Sequence, residues 1–327
     1  MPTLADYQAT VDKIFAEEQF VGTPHGLYDP IEYTLRLGGK RIRPILLLSA
    51  NALFGGNVAE VRNAALGIEI FHNFTLLHDD LMDRSPLRRG HPTVYARWDD
   101  NTAVLSGDTM FALAWRYFLR QDTLQLQHIL QCFNETAIEV CEGQQKDMDF
   151  ERLGLGGVSL EAYQDMIRQK TAVLLSGALK IGALYANAPD AEIEKLYQFG
   201  LHLGMAFQMQ DDLLDGYGDT AVFGKKTGQD IRDNKISYLP LTALTMVDND
   251  SRAQLLSLYS AKGNMDEEEK VTRVMNIYNN IGLKTSVEQS IRNEYNTANR
   301  WLDDIDAPED LKQPLREIGE ALADRKK

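Results

Sequence analysis

The chain has 327 residues, which is enough for one large domain or two ordinary ones and for a sizeable buried core. It carries 34 Lys and Arg against 48 Asp and Glu, a formal net charge of −14, and this balance argues against a non-specific nucleic-acid binder, which needs a basic surface. Hydrophobic residues make up 44% of the chain, an ordinary fraction for a globular protein and too high for a disordered one.

The cysteines and the first residues bear on the compartment. Two cysteines are too few for a disulfide scaffold, and Cys132 and Cys141 are expected on opposite sides of one helix as packing residues. The N-terminal segment contains several acids and no long apolar run, so it does not resemble a signal peptide. No stretch approaches the ~18 apolar residues of a membrane span. We therefore expect a cytoplasmic protein.

Proline placement and apolar spacing predict an all-α protein. No proline occurs in 93–188 or 241–307, and an interior proline costs a helix ~3 kcal/mol. Apolar residues recur every three or four positions in six stretches that are typical of helices: Ala64–Asp83, Asp108–Arg120, Leu160–Tyr185, Ala191–Asp215, Tyr238–Val247 and Lys284–Asp303. We find no alternating strand pattern with a hairpin turn. The simplest interpretation is a single domain over residues 1–327, with helices packed around a shared interior.

Several glycines and polar residues are expected to have structural roles in these helices. Gly55-Gly56 is expected to end one helix and Ser159 to cap another. Asp108 and Asp230 are expected as helix caps rather than ligands. Gly204 indicates either close helix packing or room for a ligand, since glycine in a helix costs ~1 kcal/mol against alanine.

The first motif that carries chemistry is Gly-Gly-Lys-Arg-Ile-Arg-Pro at residues 38–44, which precedes a helical run. A helix that begins near Pro44 offers free backbone N–H groups and the positive end of its dipole beside Lys40 and Arg43. The motif therefore predicts an anion site. A basic turn that balances an acidic surface is the alternative.

Two aspartate clusters of the type DDxxD are the strongest signal. They comprise Asp79, Asp80 and Asp83 and, 132 residues further along, Asp211, Asp212 and Asp215. On a helix, positions i and i+4 are ~40° apart, so each cluster lies on one face. Hard carboxylate oxygens suit Mg²⁺, which completes its coordination with water and substrate phosphates. Two acidic helix ends in solvent are the alternative.

Basic residues follow both clusters. Arg88 and Arg89 come five and six residues after the first cluster, close enough to reach a group bound to its metal. Lys225, Lys226 and Lys235 lie in or just beyond a glycine-rich segment after the second cluster. This segment predicts a basic loop that closes over phosphates, with an ordinary flexible surface loop as the alternative.

A few weaker candidates gain interest from this context. Lys170 and Thr171 begin an apolar helical run, Gln208 lies one turn before the second cluster, and His72 lies two turns before the first. The alternatives are that Lys170 only extends its ammonium group to water and that His72 is a core histidine with its hydrogen bonds made inside the protein.

Together these motifs resemble the trans-isoprenyl diphosphate synthase family, also called polyprenyl synthetases. The similarity runs from about Leu37 to Leu239 and includes GGKRIRP at 38–44, HDDLMDRSPLRRG at 78–90, Lys170-Thr171, FQMQDDLLDGYGD at 207–219, FGKKTGQDI at 223–231 and Asn234-Lys235. The resemblance implies the isoprenoid synthase fold, an all-α single-domain helical bundle around a central cavity, and usually a homodimer. It implies head-to-tail condensation of an allylic diphosphate (dimethylallyl, geranyl or farnesyl) with isopentenyl diphosphate.

The resemblance also implies a role for each candidate residue. The six aspartates would hold Mg²⁺, about three ions per active site, that bridge the allylic diphosphate. That diphosphate would also be contacted by Arg88, Lys170, Lys225 and Lys235, with Lys225 favoured over Lys226. Thr171 and Gln208 would assist near the reacting carbons. Isopentenyl diphosphate would be held by Lys40, Arg43, His72 and Arg89.

Product length is predicted from the helix before the first DDxxD, where bulky side chains stop chain growth in this family. Here that helix carries Phe71, Phe74 and Thr75, with no insertion inside the motif. The pattern resembles short-chain enzymes, with a C20 product ahead of C15. A helical wheel places Thr75 and Phe71 nearer the carboxylate face than Phe74, so the residue that stops growth stays open.

Other functions of this chemistry have their own sequence patterns. A longer-chain polyprenyl diphosphate synthase and the catalytic subunit of a two-component synthase share the same motifs. Terpene cyclases share DDxxD but usually carry an Asn/Ser/Glu-type second metal motif and lack GGKRIRP. A regulatory subunit usually has degraded aspartates, whereas both clusters are intact here. These patterns favour the catalytic prenyltransferase.

Overall fold

The computed structural model describes residues 2–120, 123–218, 227–260 and 265–323. Helices form nearly all of the secondary structure of these residues, which confirms the predicted all-α class. The first half contains α1 (Leu4–Glu17), α2 (His25–Arg36), α3 (Ile42–Leu53), a 3₁₀ turn (Val58–Val61), α4 (Arg62–Met82), α5 (Val94–Arg97), α6 (Asp100–Leu119) and α7 (Leu126–Leu153). No helix within the described ranges is both long and apolar enough to cross a membrane.

The second half of the chain continues in the same style. It contains a 3₁₀ turn (Leu155–Gly157), α8 (Leu160–Ile167), a π-helical turn (Arg168–Ala172), α9 (Val173–Tyr185), α10 (Asp190–Tyr217), α11 (Gln229–Asp233), α12 (Tyr238–Met246), α13 (Asn249–Ser260), α14 (Glu267–Asn280), α15 (Leu283–Asp303) and α16 (Glu309–Ala323). The helices predicted from apolar spacing are therefore present, with ends that differ by a few residues except at α6.

The chain divides into two compact units. The first comprises Met1–Phe133, Ala178–Glu194 and Asp306–Leu315, and the second comprises Asn134–Gly177, Lys195–Ile305 and Arg316–Lys327. The two DDxxD motifs fall in different units, the first motif in the first unit and the second motif in the second. The single domain over residues 1–327 stays a prediction.

Helix α4 forms the centre of the first unit. Residues 64–71 of this helix are all buried, and all of them are apolar or glycine except Glu69. Its main neighbour is α6, and the two helices approach closely at Gly67, where a Cβ would lie 2.9 Å from the ring of Phe118. This packing anchors the helix that carries the first aspartate cluster.

A two-residue hairpin follows α4, and the sequence did not predict it. Strand β1 (Leu87–Arg88) pairs antiparallel with β2 (His91–Pro92). The turn residues Arg89 and Gly90 both have positive φ, 53° and 78°, which is the backbone of the tight turns that suit a hairpin. An Arg-Gly pair between such short strands gives little strand pattern in the sequence. The hairpin holds Arg88 and Arg89 in place.

Two glycines explain the packing around the π-helical turn of the second unit. A Cβ on Gly143 of α7 would lie 2.4 Å from the backbone nitrogen of Lys170. A Cβ on Gly204 of α10 would lie 2.4 Å from the Cα of Ala172. Both helices therefore approach the turn at van der Waals distance, and Gly204 serves close helix packing.

The structure also tests the predicted caps. Ser159 accepts a hydrogen bond from the N–H of Ala162 and caps α8 as expected. Asp108 is not a cap, because α6 begins eight residues earlier and its cap is Asp99, which accepts from the N–H of Thr102 at 2.8 Å. The apolar spacing used for the prediction is weak in the first two turns of α6, which explains the late start.

The remaining predicted caps and the two cysteines are compared with the structure in the same way. Gly55 has a φ of 75° just after α3 and ends it as predicted. Asp230 lies in the first turn of α11, whose cap is Gly228, so the prediction for Asp230 is wrong by two positions. Cys132 is buried and Cys141 is exposed on α7, in agreement with opposite sides of one helix, so the predicted packing role fits Cys132 and is wrong for Cys141.

Candidate active site

The first aspartate cluster lies at the C-terminal end of α4. Asp79 and Asp80 belong to its last turn, and the N–H of the cap residue Asp83 donates to the carbonyl of Asp79 at 2.8 Å. Asp80 is 5% exposed, whereas Asp83 is exposed. Because a helix C-terminus carries a partial negative charge, carboxylates gathered there are stabilised by a neighbouring cation.

Arg88 of the hairpin provides one such cation. Its Nε donates to Oδ2 of Asp80 at 2.7 Å. Burial raises the pKa of the Asp80 carboxyl, and the hydrogen bond from Arg88 opposes that shift. The other oxygen of Asp80, Oδ1, is buried and has no hydrogen-bond partner among the described residues. A buried acceptor of this kind suits a cation or an ordered water.

A cationic cluster, here Arg43, His72 and Arg89, lies in the same unit with the buried carboxylate of Glu69. Nη1 of Arg43 lies 3.0 Å from Nε2 of His72. A guanidinium only donates, so Nε2 accepts and the proton of the neutral imidazole lies on Nδ1. Glu69, 3% exposed, accepts at Oε1 from Asn73 at 3.2 Å. Its charge opposes the loss of the proton from Arg43.

Burial and like charges set the protonation of this cluster. Burial lowers the pKa of Arg43 to about 10, which still leaves the guanidinium charged at neutral pH. Burial, and then the charges of Arg43, Arg89 and Arg88, hold the pKa of His72 well below its usual 6.5. Burial raises the pKa of Glu69, and Arg43 opposes that shift. The cluster therefore presents positive charge from its arginines around an uncharged imidazole.

The loop before α3 is joined to the hairpin. Nη1 of Arg89 donates to the carbonyl of Gly38, and a Cβ on Gly39 would lie 2.7 Å from Nη2 of Arg89. The φ of Gly39 is 140°, so glycine suits both the backbone and the close approach. Helix α3 begins at Ile42, two residues before Pro44, and Lys40 is exposed beside its N-terminus. The predicted pairing of cations with a helix start is present.

A small pocket in the first unit lies beside the first aspartate cluster and both hairpin arginines. Its lining includes Asn73, Leu76, Asp80, Arg88 and Arg89. Two guanidinium groups beside one carboxylate suit a small anion that arrives together with a metal ion.

An aromatic cluster surrounds the residues predicted to set product length. The ring of Phe71 lies 5.5 Å from Phe74 and 5.3 Å from Phe133, and Phe74 lies 5.4 Å from Phe111. Phe71 is completely buried, whereas Phe74 and Thr75 are partly exposed. The hydroxyl of Thr75 donates to the carbonyl of His72 at 2.8 Å. Of these three side chains, only Phe74 and Thr75 reach the surface of the described chain.

The second aspartate cluster lies near the C-terminal end of α10, in the second unit. Asp212 is 5% exposed and both of its oxygens are occupied. Oδ2 accepts from the hydroxyl of Tyr163 at 2.6 Å and from the N–H of Tyr238 at 2.9 Å, and Oδ1 accepts from Gln208 at 3.0 Å. Asp211 and Asp215 are partly exposed on the same helix. Asp212 thus joins α8, α10 and the start of α12.

Negative charge is crowded around this cluster. Burial, and then the charge of Asp230, raise the pKa of Asp212 to about 7. The same two causes raise the pKa of Asp215 to about 6, and Lys235 opposes the shift. Oδ2 of Asp215 accepts from the N–H of Asp230 at 3.0 Å. A cation bound here would relieve the repulsion.

The π-helical turn presents Lys170 and Thr171 toward neighbouring helices of the second unit. Nζ of Lys170 donates to Oδ2 of Asp147 on α7 at 2.7 Å. The hydroxyl of Thr171 donates to Oε1 of Gln208 at 3.1 Å, and Gln208 in turn donates to Asp212. A π-helical turn is a common feature of functional sites. This chain of hydrogen bonds links the two weaker candidates to the second cluster.

Lys235 is the last predicted residue that the structure places. It is exposed and follows α11, and its N–H donates to the carbonyl of Asp230 at 2.9 Å. Lys225 and Lys226 lie outside the described residues, so their roles stay predictions.

The structure thus brings the candidates together in two groups. The first unit holds Asp79, Asp80, Asp83, Arg88, Arg89, Lys40, Arg43, His72, Phe71, Phe74 and Thr75, and the second unit holds Asp211, Asp212, Asp215, Lys170, Thr171, Gln208 and Lys235. Across the residues that the structure describes, no three metal-binding side chains converge into a preformed cage. Mg²⁺ does not need such a cage, because water and substrate phosphates complete its coordination.

Three contributing residues were missed from the sequence. Glu69 stands alone among apolar residues of α4, three and four positions before His72 and Asn73, a spacing that places them on one face. Asp147 lies in a polar stretch of α7 with other acids, so no signal distinguishes it. Tyr163 has no local motif, and only the fold brings its hydroxyl to Asp212.

Comparisons with known proteins identify the family of the chain. The polyprenyl synthetase family model matches residues 24–278. A short chain isoprenyl diphosphate synthase of Methanocaldococcus jannaschii is 38% identical over 252 residues, covering 77% of this chain and 76% of the relative. A geranylfarnesyl diphosphate synthase of Natronomonas pharaonis is 38% identical over 260 residues, covering 73% and 75%. A crystal structure of a geranylgeranyl pyrophosphate synthase superposes with a TM-score of 0.93 at 38% identity, covering 100% of both chains.

The chain belongs to the polyprenyl synthetase family, and it has the isoprenoid synthase fold. The predicted resemblance and the predicted fold are therefore confirmed.

Proposed function

We propose that the protein is a prenyltransferase that condenses an allylic diphosphate with isopentenyl diphosphate, head to tail, to a short-chain all-trans prenyl diphosphate. Family membership and relatives whose names are short-chain, geranylgeranyl and geranylfarnesyl diphosphate synthases support the proposal. The observation that carries it is the pairing of an acid of the first cluster with a cation, since Nε of Arg88 donates to Oδ2 of Asp80 at 2.7 Å.

Mg²⁺ is the metal that fits the donors. Both clusters offer carboxylate oxygens only, and Oδ1 of Asp80 is a buried acceptor without a partner among the described residues. We propose that Asp79, Asp80, Asp83, Asp211, Asp212 and Asp215 hold about three ions with the allylic diphosphate. When bound, Mg²⁺ would neutralise the negative charge that grows on the leaving diphosphate. Asp212 has the least free carboxylate capacity for Mg²⁺, because three hydrogen-bond donors already occupy its oxygens.

The cations divide between the two substrates. Arg88, Lys170 and Lys235 would contact the allylic diphosphate, and Lys225 is assigned the same role from the sequence alone. Lys40, Arg43, His72 and Arg89 would hold isopentenyl diphosphate. The cationic cluster supports this division, since it gathers permanent positive charge beside a helix N-terminus.

The reaction begins when the allylic C–O bond breaks and its electron pair leaves with the diphosphate. The double bond of isopentenyl diphosphate then attacks the allylic cation and forms the new C–C bond. The tertiary cation that results loses a proton to the departing diphosphate, which restores a double bond. Arg88, Lys170 and Lys235 stabilise the leaving charge, and Thr171 and Gln208 present oxygen atoms near the reacting carbons. Apolar walls exclude the water that would capture the cations.

We propose that chain growth stops at the partly exposed side chains of α4, with a C20 product favoured over C15. Phe74 and Thr75 are accessible, whereas Phe71 supports Phe74 from within the aromatic cluster. Phe74→Ala is expected to shift products to longer chains, measured by chromatography of the dephosphorylated alcohols. Phe71→Ala is the second variant, and unchanged product lengths in both would reject this site of termination.

The proposal is tested by incubating the protein and Mg²⁺ with isopentenyl diphosphate and each of the C5, C10 and C15 primers. Elongation is expected with the protein alone, and Asp80→Ala and Asp211→Ala are expected to lower turnover at least about 100-fold. Loss of the allylic diphosphate without use of isopentenyl diphosphate would instead indicate a terpene cyclase. Elongation only after a partner is added would indicate a subunit of a two-component synthase, and long products would indicate a polyprenyl synthase.

We further expect a homodimer in the cytoplasm that binds no nucleic acid. The net charge of −14 supports the last point, because it repels phosphate backbones wherever no local cation compensates. Light scattering coupled to size-exclusion chromatography measures the oligomeric state directly.

A further inference from the structure

A buried lysine occurs in the second unit, away from every motif of the sequence. Lys270 lies in the first turn and a half of α14 and is 4% exposed. A cation at this position is disfavoured twice, by burial and by the positive end of the helix dipole. Strong partners are therefore required to hold it there.

Those partners are the last polar groups of α11. Nζ of Lys270 donates to the carbonyl of Ile231, to the carbonyl of Arg232 at 3.4 Å and to Oδ1 of Asn234 at 2.7 Å. The ammonium also lies 5.4 Å from the ring centre of Tyr259. Carbonyl groups at a helix C-terminus carry partial negative charge, so this end of α11 compensates the buried cation.

The opposite end of α11 is bound to the second aspartate cluster. The N–H of Gly228 donates to the carbonyl of Asp215 at 2.7 Å, and the N–H of Asp230 donates to Oδ2 of Asp215 at 3.0 Å. The N–H of Lys235 donates to the carbonyl of Asp230 at 2.9 Å. The segment from Gly228 to Lys235 is thus attached to Asp215 at one end and to Lys270 at the other.

Glu268, a second side chain of α14, strengthens the same attachment through Arg232 of α11. Nη2 of Arg232 lies 3.0 Å from Oε1 of Glu268, and its Nη1 donates to the carbonyl of Thr227 at 2.8 Å. Asn234 ends α11 with a φ of 57°, the conformation that reverses the chain just before Lys235. Lys270 therefore helps to hold the backbone from which Lys235 extends, through its acceptor Asn234 and beside the contacts of Arg232.

We propose that Lys270 is a positioning residue that holds Lys235 at a set place relative to Asp215, and through it governs binding of the allylic diphosphate. This inference rests on the proposed function, because that function assigns Lys235 to the allylic diphosphate. Lys270 itself would touch neither substrate.

The test compares Lys270→Met with Lys312→Met. Lys312 is also 4% exposed and lies in the first unit, 3.6 Å from Glu309, so it controls for the loss of a buried ammonium. We expect Lys270→Met to raise KM for the allylic diphosphate about tenfold, a change that corresponds to the ~1.4 kcal/mol of one charge-assisted hydrogen bond. KM for isopentenyl diphosphate should stay within twofold, and Lys312→Met should change neither KM.

A double variant distinguishes positioning from general damage. If Lys270 acts through Lys235, then Lys270→Met combined with Lys235→Met should be no worse than Lys235→Met alone. Additive losses, or equal rises of both KM values, would overturn the proposal. Calorimetric titration with pyrophosphate and Mg²⁺ gives a readout without turnover, and Lys270→Met should weaken that binding about tenfold.

Asn234→Gly tests the same contact from the acceptor side and is used if Lys270→Met does not fold. Glycine keeps the left-handed backbone and removes only the side-chain acceptor, so the same selective rise of KM is expected at a smaller size. An unchanged KM in this variant, with Lys270→Met unfolded, would overturn the positioning role. Failure of the proposed function is recognised separately, because the unmodified protein would then elongate no primer.

Discussion

Lowering the pH is expected to destabilise the protein through His72. This imidazole is partly buried and lies 3.0 Å from Arg43, and the charges of Arg89 and Arg88 add to the repulsion of a second proton. The pKa of His72 is therefore held well below the usual 6.5 in the folded state. Unfolding frees the imidazole to take a proton near its usual pKa, so the unfolded state binds more protons at mildly acidic pH.

The size of the effect follows from this difference in protons. Stability rises with pH wherever the unfolded state binds more protons, so it falls as the pH drops below 6.5. At pH 5, about 1.5 units below the usual pKa, the loss from His72 is at most about 2 kcal/mol, the value for an imidazole that stays neutral in the folded state, because each unit corresponds to about 1.4 kcal/mol. Asp212, Asp215 and Glu69 have raised pKa values and act in the opposite sense. The contribution of His72 is therefore measured as the difference in pH dependence between the unmodified protein and a variant without this histidine.

The comparison uses His72→Gln, which cannot take a proton. Urea unfolding of both proteins between pH 7.5 and pH 5 gives the free energy of unfolding at each pH. The unmodified protein is expected to lose more stability than the variant over this range, by at most about 2 kcal/mol. The NMR signals of the His72 imidazole, assigned by their loss in the variant, should titrate well below pH 6.5. A parallel pH dependence of the two proteins, or titration of the imidazole near pH 6.5, would refute the reasoning.

Two further predictions concern packing and exposure. Gly204→Ala should lower the free energy of unfolding by about 1–3 kcal/mol, because the new Cβ meets the backbone of Ala172. Gly26→Ala is the control, since the space around its Cβ is open. Equal urea midpoints for the two variants would contradict the packing argument. Cys141 should react rapidly with a thiol reagent and the buried Cys132 slowly. Cys141→Ser should therefore remove the fast phase of the thiol reaction. A fast phase that persists in this variant would show that Cys132 is accessible.

Interactions within one segment of chain were predictable from the sequence. Each DDxxD motif lies on a helix, and the apolar spacing on either side of it is a property of that helix alone. The GGKRIRP motif has the same character, since the start of α3 follows from local capping and proline preferences. The hairpin at Leu87–Pro92 was missed because two-residue strands leave no periodic pattern.

The partners of the site residues required the tertiary structure. Arg88 meets Asp80 across a hairpin, Lys170 meets Asp147 across 23 residues, and Tyr163 meets Asp212 across 49. Such pairs depend on how helices pack, and packing depends on small residues such as Gly143 and Gly204 whose contacts no local pattern reveals.

By itself the sequence determined the helical class, the family and the kinds of groups that the site contains, because periodicity, residue type and motif spacing are written along the chain. Only the tertiary structure decided which groups are buried, which carboxylates have raised pKa values and which cation holds which acid. Those properties arise from burial and from distances of a few ångströms between segments far apart in sequence. Lys270 shows the difference: in the sequence it follows three glutamates like any surface lysine, and in the fold it binds the end of α11.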